Sequence, residues 1–143
     1  MSQRDADAIT RLQHAYADAV LASDEAWWGS LWTEDARWDL GPDRVLDGRD
    51  AIVEHWRGSI SNYRRVVQLY LSSTATIEGD EASGRAYFVE LNVPVEGDRR
   101  MLAAYYDDTY RRSAEGWRYA SRTLGRLYSG APDLSGTFFP ELD

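Results

Sequence analysis

Apolar positions in the N-terminal half of the chain recur at intervals of three and four, and those of the second half alternate. Ile9, Leu12, Tyr16, Ala19 and Val20 fall on one face of a helix predicted from Asp5 to about Ser23. Ser23-Asp24 offers an N-cap for a second, short helix through Trp27, Trp28, Leu31 and Trp32. Ala36 to Leu40 reads as a short strand, Gly41-Pro42-Asp43 as a turn and Arg44 to Leu46 as a return strand. Asp47-Gly48-Arg49-Asp50 introduces a third helix, whose buried stripe is Ile52, Val53, Trp56, Ser59 and Ile60. Strand runs at 64–78, 82–96, 99–112 and 117–128 follow, broken by Gly79-Asp80, Gly97-Asp98 and Ala114-Glu115-Gly116, each a hairpin turn by composition. The tail from Ser129 to Asp143, with Phe138-Phe139 and two prolines, is expected to fold back over the rest. No repeat or linker interrupts the pattern, which predicts one α+β domain over residues 1–143, helices first and a curved, mostly antiparallel sheet around them.

Within the strand runs the even positions form one mixed polar and aromatic set. It comprises Gln68 and Tyr70, then Phe88, Glu90 and Asn92, then Leu102, Ala104, Tyr106, Asp108 and Tyr110, then Arg122, Leu124 and Arg126. Side chains two apart in a strand share a face. If that face lines an interior, it is a pocket with titratable groups; if it faces water, it is a solvated sheet without a site. The odd positions Val67, Leu69, Leu71, Val89, Leu91, Val93 and Val95 are the more apolar set. With the even face inside, they form an outer surface that asks for a partner, and a homodimer through this face is expected.

Composition narrows the chemistry. A formal charge of −8 disfavours nucleic acid, whose phosphates need a basic footprint. No apolar stretch approaches the ~20 residues of a membrane span, and the polar start MSQRDADAIT has no signal-peptide core, so a cytoplasmic address is expected. The chain has no cysteine and no lysine, which removes thiol catalysis, disulfides and Schiff-base chemistry. Its two histidines, His14 and His55, do not suffice for a multi-histidine zinc centre, and no glycine-rich phosphate loop is present. No metal and no cofactor is expected. Proton transfer is left to carboxylates, tyrosines, arginines, amides and at most a histidine.

Tyr16-Ala17-Asp18, Leu31-Trp32-Thr33-Glu34-Asp35-Ala36-Arg37-Trp38, Gly48-Arg49-Asp50-Ala51-Ile52, Gly79-Asp80-Glu81-Ala82 and Tyr106 to Tyr110 followed by Gly116-Trp117-Arg118 stand in a telling order. Together they resemble the SnoaL-like branch of the nuclear transport factor 2-like superfamily, from about residue 5 to 128. The resemblance implies a cone-shaped α+β barrel with a deep apolar pocket, usually in a dimer or trimer. It implies no single activity, since the fold hosts dehydratases, isomerases, cyclases, epoxide hydrolases, dehydrochlorinases and binding-only members. The enzyme patterns it approaches are those of the scytalone dehydratases and the hexachlorocyclohexane dehydrochlorinases, in which an aspartate after the first helix orients a histidine base. Asp24 matches the aspartate's place, and Gln68 stands where the histidine should be. An amide takes no proton at neutral pH, so that dyad lacks its base here. The resemblance also implies a pocket walled by Tyr16, Val20, Trp38, Trp56, Tyr63, Gln68, Phe88, Leu102, Ala104, Leu124 and Arg126.

Each candidate group carries two readings. Glu90 is either a general base or acid, its pKa raised by burial, or half of a buried ion pair with Arg122 or Arg126. Asp108 either takes a substrate proton or accepts hydrogen bonds that hold strand ends. Tyr106 either donates to a developing oxyanion or simply packs. Asp24 is an orienting carboxylate or a plain N-cap. His55, at the edge of its helical stripe, reads first as a surface or half-buried residue, and His14 as solvated. Asp107, Arg99 and Arg100 read as solvated positions. The leading expectation is a cofactor-independent lyase or isomerase acting on a small hydrophobic or aromatic molecule. Glu90 or Asp108 would move the proton, Tyr106 and Gln68 hold the substrate oxygen, and Arg122 tune the acid. The alternatives are epoxide opening by water through Glu90, Arg122 and Asp108, or a non-catalytic binding or assembly module.

Overall fold

The computed structural model describes residues 3–142. Two helices, α1 (Gln3–Ala22) and α2 (Glu25–Ser30), precede strand β1 (Trp32–Asp39), a short β2 (Val45–Asp47) and helix α3 (Arg49–Ile60). Strands β3 (Tyr63–Ser73), β4 (Thr76–Glu78), β5 (Glu81–Pro94), β6 (Arg100–Ser113) and β7 (Gly116–Gly130) complete an α+β arrangement. The sheet order is β2-β1-β7-β6-β5-β3, with β4 paired to β5 off that path. All pairings are antiparallel except β1 with β7. β2 and β3 stay at opposite ends of the path, so the curved sheet is an open cone rather than a closed barrel.

The helical stripes bury as their spacing predicts: Ile9, Leu12, Tyr16, Ala19 and Val20 of α1 and Ile52 and Trp56 of α3 all enter the core. They meet the even sheet face, where Phe88, Ala104, Tyr106, Asp108, Tyr110 and Arg122 are buried. Aromatic packing closes this contact, with Trp28 stacked on Trp56 at 4.5 Å and Phe88 on Tyr106 at 5.1 Å. In β7 the inward parity changes midway. Trp117 and Tyr119 point in, and a bulge opposite Thr109/Tyr110 then turns Arg122 inward.

Three boundaries differ from the sequence expectation. α2 ends at Ser30 and Trp32 begins β1, because pairing with β7, including Tyr119 N to Leu31 O at 2.9 Å, outweighs the local helical spacing. The expected strand 64–78 is two strands, bent at Thr74-Ala75. The bend brings Thr74 against β5 so closely that a Cβ on Gly84 would lie 1.8 Å from the Thr74 carbonyl oxygen, which only glycine tolerates. The hairpins fall at Gly79, Gly97 and Gly116 as expected, all with positive φ. The tail beyond Gly130 folds back as expected: Arg99 Nη1 donates to the Leu134 carbonyl at 2.6 Å and its guanidinium covers the Phe138 ring. Asp143 lies outside the described residues. Among the described residues, no helix is long and apolar enough to cross a membrane.

Candidate functional site

The wide end of the cone holds a cavity of about 260 Å³ between α1, α3 and the even sheet face, near the lower end of ligand-pocket volumes. Glu90, Tyr106, Tyr16, Val20, Trp38, Trp56, Tyr63, Gln68, Phe88, Leu102, Leu124 and Arg126 all line it, so most of the expected wall comes together. Ala104 is buried without lining it.

Glu90 is half-buried at this wall. It stands opposite Gln68 across the β3–β5 ladder, and Gln68 Nε2 donates to its Oε1 at 2.8 Å. Burial pushes the Glu90 carboxyl above its ordinary value, and the side-chain amides of Gln68 and Asn92 pull it partly back. Neither Arg122 nor Arg126 pairs with it, contrary to the expected ion pair. Both arginines reach the even face, but one same-face step along a strand is about 7 Å, and each is spent or placed elsewhere. Gln68 is likewise committed: its Oε1 accepts from Tyr70 OH at 3.3 Å and its nitrogen serves Glu90. It therefore orients the carboxylate with one amide hydrogen, and the second N–H of the same NH2 group remains at the cavity wall.

Asp108 and Arg122 make a different arrangement below the cavity. Arg122 donates from Nε to Asp108 Oδ1 at 2.7 Å and from Nη2 to Oδ2 at 3.1 Å, with both side chains fully buried. Its guanidinium carbon sits 3.9 to 5.5 Å from the ring centres of Tyr106, Tyr119, Tyr16 and Tyr70. Burial raises the Asp108 carboxyl and the adjacent guanidinium lowers it. Because an arginine in a two-pronged contact keeps its proton, the pair stays ionised. Tyr110 OH adds a bond to Asp108 Oδ2 at 3.3 Å and is held by Gln13, which accepts from Ser73. Neither Asp108 nor Arg122 lines the cavity, so their expected catalytic placement is corrected: the pair is a buried strut. The acid–arginine–acid set for epoxide opening is not assembled either, since Arg122 contacts one of its two acids. A thread does join the two carboxylates: Arg122 Nη1 donates to Tyr70 OH at 3.0 Å, Tyr70 to Gln68, and Gln68 to Glu90.

Tyr106 accepts a hydrogen bond from Trp38 Nε1 at 3.2 Å, which leaves its own O–H proton for the cavity. Burial pushes this phenol up to about 12, so it remains a donor at neutral pH. Asp24 does not join the site. It is exposed and accepts from Trp27 N at 3.0 Å as the N-cap of α2. His14 is exposed, as expected.

Sequence reasoning passed over several lining residues. His55 is half-buried, as the sequence reading had it, though it was given no part in the wall, where its ring lies edge-on to Trp38 at 5.9 Å. Its place at the margin of the α3 stripe, beside Trp56, was the available signal. Arg44 and Arg100 also line the cavity, although Arg100 read as solvated. Arg44 comes from the turn before β2, where no periodicity exists to reveal it. Asn92 belongs to the even set but drew no role.

The family model for the SnoaL-like domain matches residues 2–123. Among solved structures, a candidate aromatic ring hydroxylase from Novosphingobium aromaticivorans is 28% identical with a TM-score of 0.86, the match covering 92% of this chain and 96% of that one. A candidate scytalone dehydratase from the same organism is 19% identical at a TM-score of 0.84, over 90% of this chain and 87% of that one. A hexachlorocyclohexane dehydrochlorinase, LinA-type3 from Novosphingobium barchaimii, is 19% identical at 0.76, over 90% of each chain. No curated protein matches the chain in sequence.

Proposed function

The chain belongs to the SnoaL-like domain family, and on that premise we propose that it is a lyase or isomerase that moves a proton on a small, largely apolar molecule without a cofactor. One observation carries the reading: the Glu90 carboxylate stands at a cavity wall, held by amides and not by an arginine. A carboxylate so held keeps its basicity, and its raised pKa brings it nearer the working pH of a general base. The substrate's C–H bond breaks, its proton passes to a Glu90 oxygen, and the electron pair moves toward an adjacent carbonyl. The Tyr106 O–H is available to the oxygen that then gains charge. Phe88, Trp38 and Trp56 give the cavity aromatic walls, which suit a flat ring. The candidate scytalone dehydratase and the dehydrochlorinase among the similar structures are named for elimination reactions, which supports the lyase reading.

The test is proton–deuterium exchange in D2O over a panel of aromatic and alicyclic ketones, followed by NMR. The protein should label the carbon next to the carbonyl of at least one ketone, and Glu90→Gln should slow that exchange about 10²–10⁴-fold. Exchange that survives in Glu90→Gln would remove Glu90 as the base.

The outer sheet face supports a homodimer as the working state. Leu69, Leu71 and Leu127 are 49%, 68% and 63% exposed there, more apolar surface than a lone sheet usually leaves bare. Light scattering at micromolar concentration should give twice the chain mass, and a monomer would refute the pairing.

A further inference from the structure

Glu90 can begin a reaction at the cavity, but an elimination also has to protonate the oxygen that leaves. Most of the wall is unfit for that task. Arg44, Arg100 and Arg126 line it, and an arginine does not give up its proton in a protein. The phenols of Tyr16 and Tyr106 hold theirs, because burial pushes both up, that of Tyr106 to about 12. His55 is the one imidazole in the wall, and an imidazole both takes and gives a proton in the neutral range.

Its placement suits the task. His55 projects from α3 and its ring meets the Trp38 indole of β1. Among the described residues no hydrogen bond or ion pair engages its ring nitrogens, and neither nitrogen is sealed away from cavity and solvent. The same indole donates from Nε1 to the Tyr106 hydroxyl, so one ring positions both the imidazole and the phenol. Glu90 comes from the other side. In the sheet order β7 and β6 stand between β1 and β5, which puts those two strands about 14 Å apart along the sheet. No ion pair joins His55 to Glu90 among the described residues. The sheet curves round the cavity, so a molecule inside it has the carboxylate on one side and the imidazole on the other.

We propose that His55 is a second catalytic residue, the acid that protonates the departing oxygen after Glu90 has taken the proton from carbon. The inference rests on the reading of Glu90 as the base. In a β-hydroxy ketone the C–H bond beside the carbonyl breaks and its proton goes to Glu90. The electron pair passes to the carbonyl oxygen, at the Tyr106 hydroxyl, and returns to form a carbon–carbon double bond. The C–O bond of the hydroxyl breaks with its electron pair, and an N–H of the His55 imidazolium supplies the proton that completes water. Glu90 is then protonated and His55 neutral, and one proton passed through solvent restores both.

The probe is the aldol adduct of benzaldehyde and acetone. Loss of water is read from the ultraviolet absorbance of the enone, and exchange beside the carbonyl by NMR in D2O. The parent should do both. His55→Gln should slow elimination about 10²–10⁴-fold, the contribution of one acid, and exchange by less than about tenfold. Imidazole added to His55→Ala should restore elimination in proportion to its concentration, a recovery that a purely structural role would not give. An unchanged urea midpoint shows that each variant is folded. A parent that forms no enone, equal slowing of both processes, elimination that survives in His55→Gln, or no recovery with imidazole would each overturn the proposal. If exchange survives in Glu90→Gln while elimination still needs His55, the base is misassigned and the acid stands. If exchange needs Glu90 and elimination ignores His55, the base stands and the acid is lost.

Discussion

Two carboxylates on the same inner face of neighbouring strands meet opposite fates. Asp108 is gripped by the two-pronged Arg122 and sealed among tyrosines, with no exposed side-chain surface on either partner. Glu90, on the adjacent strand, opens to a cavity and is touched by amides alone. The difference shows how one sheet neutralises one buried acid and leaves the other open to a cavity. A full positive charge against an acid fixes it as an anion and removes it from proton traffic. An amide orients the acid and leaves its proton affinity adjustable.

The largest effect that would break this contrast comes from the strut. Asp108→Asn leaves the Arg122 charge buried without its counter-ion and should cost about 3–5 kcal/mol of stability, read from urea unfolding. A cost below about 1 kcal/mol would show that the pair is not structural.

At the cavity the expectation runs the other way. Burial holds the Glu90 carboxyl above its ordinary value of 4.5, so the folded protein binds that proton more tightly than the unfolded chain does. Its stabilising contribution is therefore full below 4.5 and is lost as pH rises through the raised folded value. Glu90→Gln should be as stable as the parent or more so above that interval, and the gap between their urea midpoints should close on acidification. A gap that instead widens toward acid would mean a depressed Glu90 pKa and an unseen cation. With Glu90 as the base proposed above, turnover would need its ionised form and should rise with pH through a value above that of an ordinary glutamate.

The smallest effect sharpens the link between the two regions. Tyr70→Phe removes the hydroxyl that accepts from Arg122 and donates to Gln68, and should cost about 0.5–1.5 kcal/mol in stability. It should also move the activity limb to higher pH, because Gln68 then holds Glu90 less firmly. An unmoved limb would show that the thread carries no electrostatic influence.

The helical stripes, the glycine turns and the inward parity of β5 and β6 were legible in the sequence because each is a local periodicity imposed by backbone geometry. The candidate pocket was legible for the same reason: Gln68, Phe88, Glu90, Leu102 and Tyr106 are a parity set before they are a site. The start of β1 at Trp32 and the division of β3 from β4 were not, because pairing with β7 and the close approach at Gly84 are contacts between distant segments. Arg44 escaped for a related reason, since it lies in a turn with no periodicity of its own.

The sequence by itself determined which residues share a face and that no thiol or lysine amine is available for chemistry. Only the tertiary structure decided which acid Arg122 would neutralise. Both Asp108 and Glu90 lie on the face it reaches, and the choice follows from strand register, which sets Asp108 opposite Arg122 and Glu90 opposite Leu102. Register across a sheet is fixed by the packing of whole strands against the helices, and no local pattern encodes it.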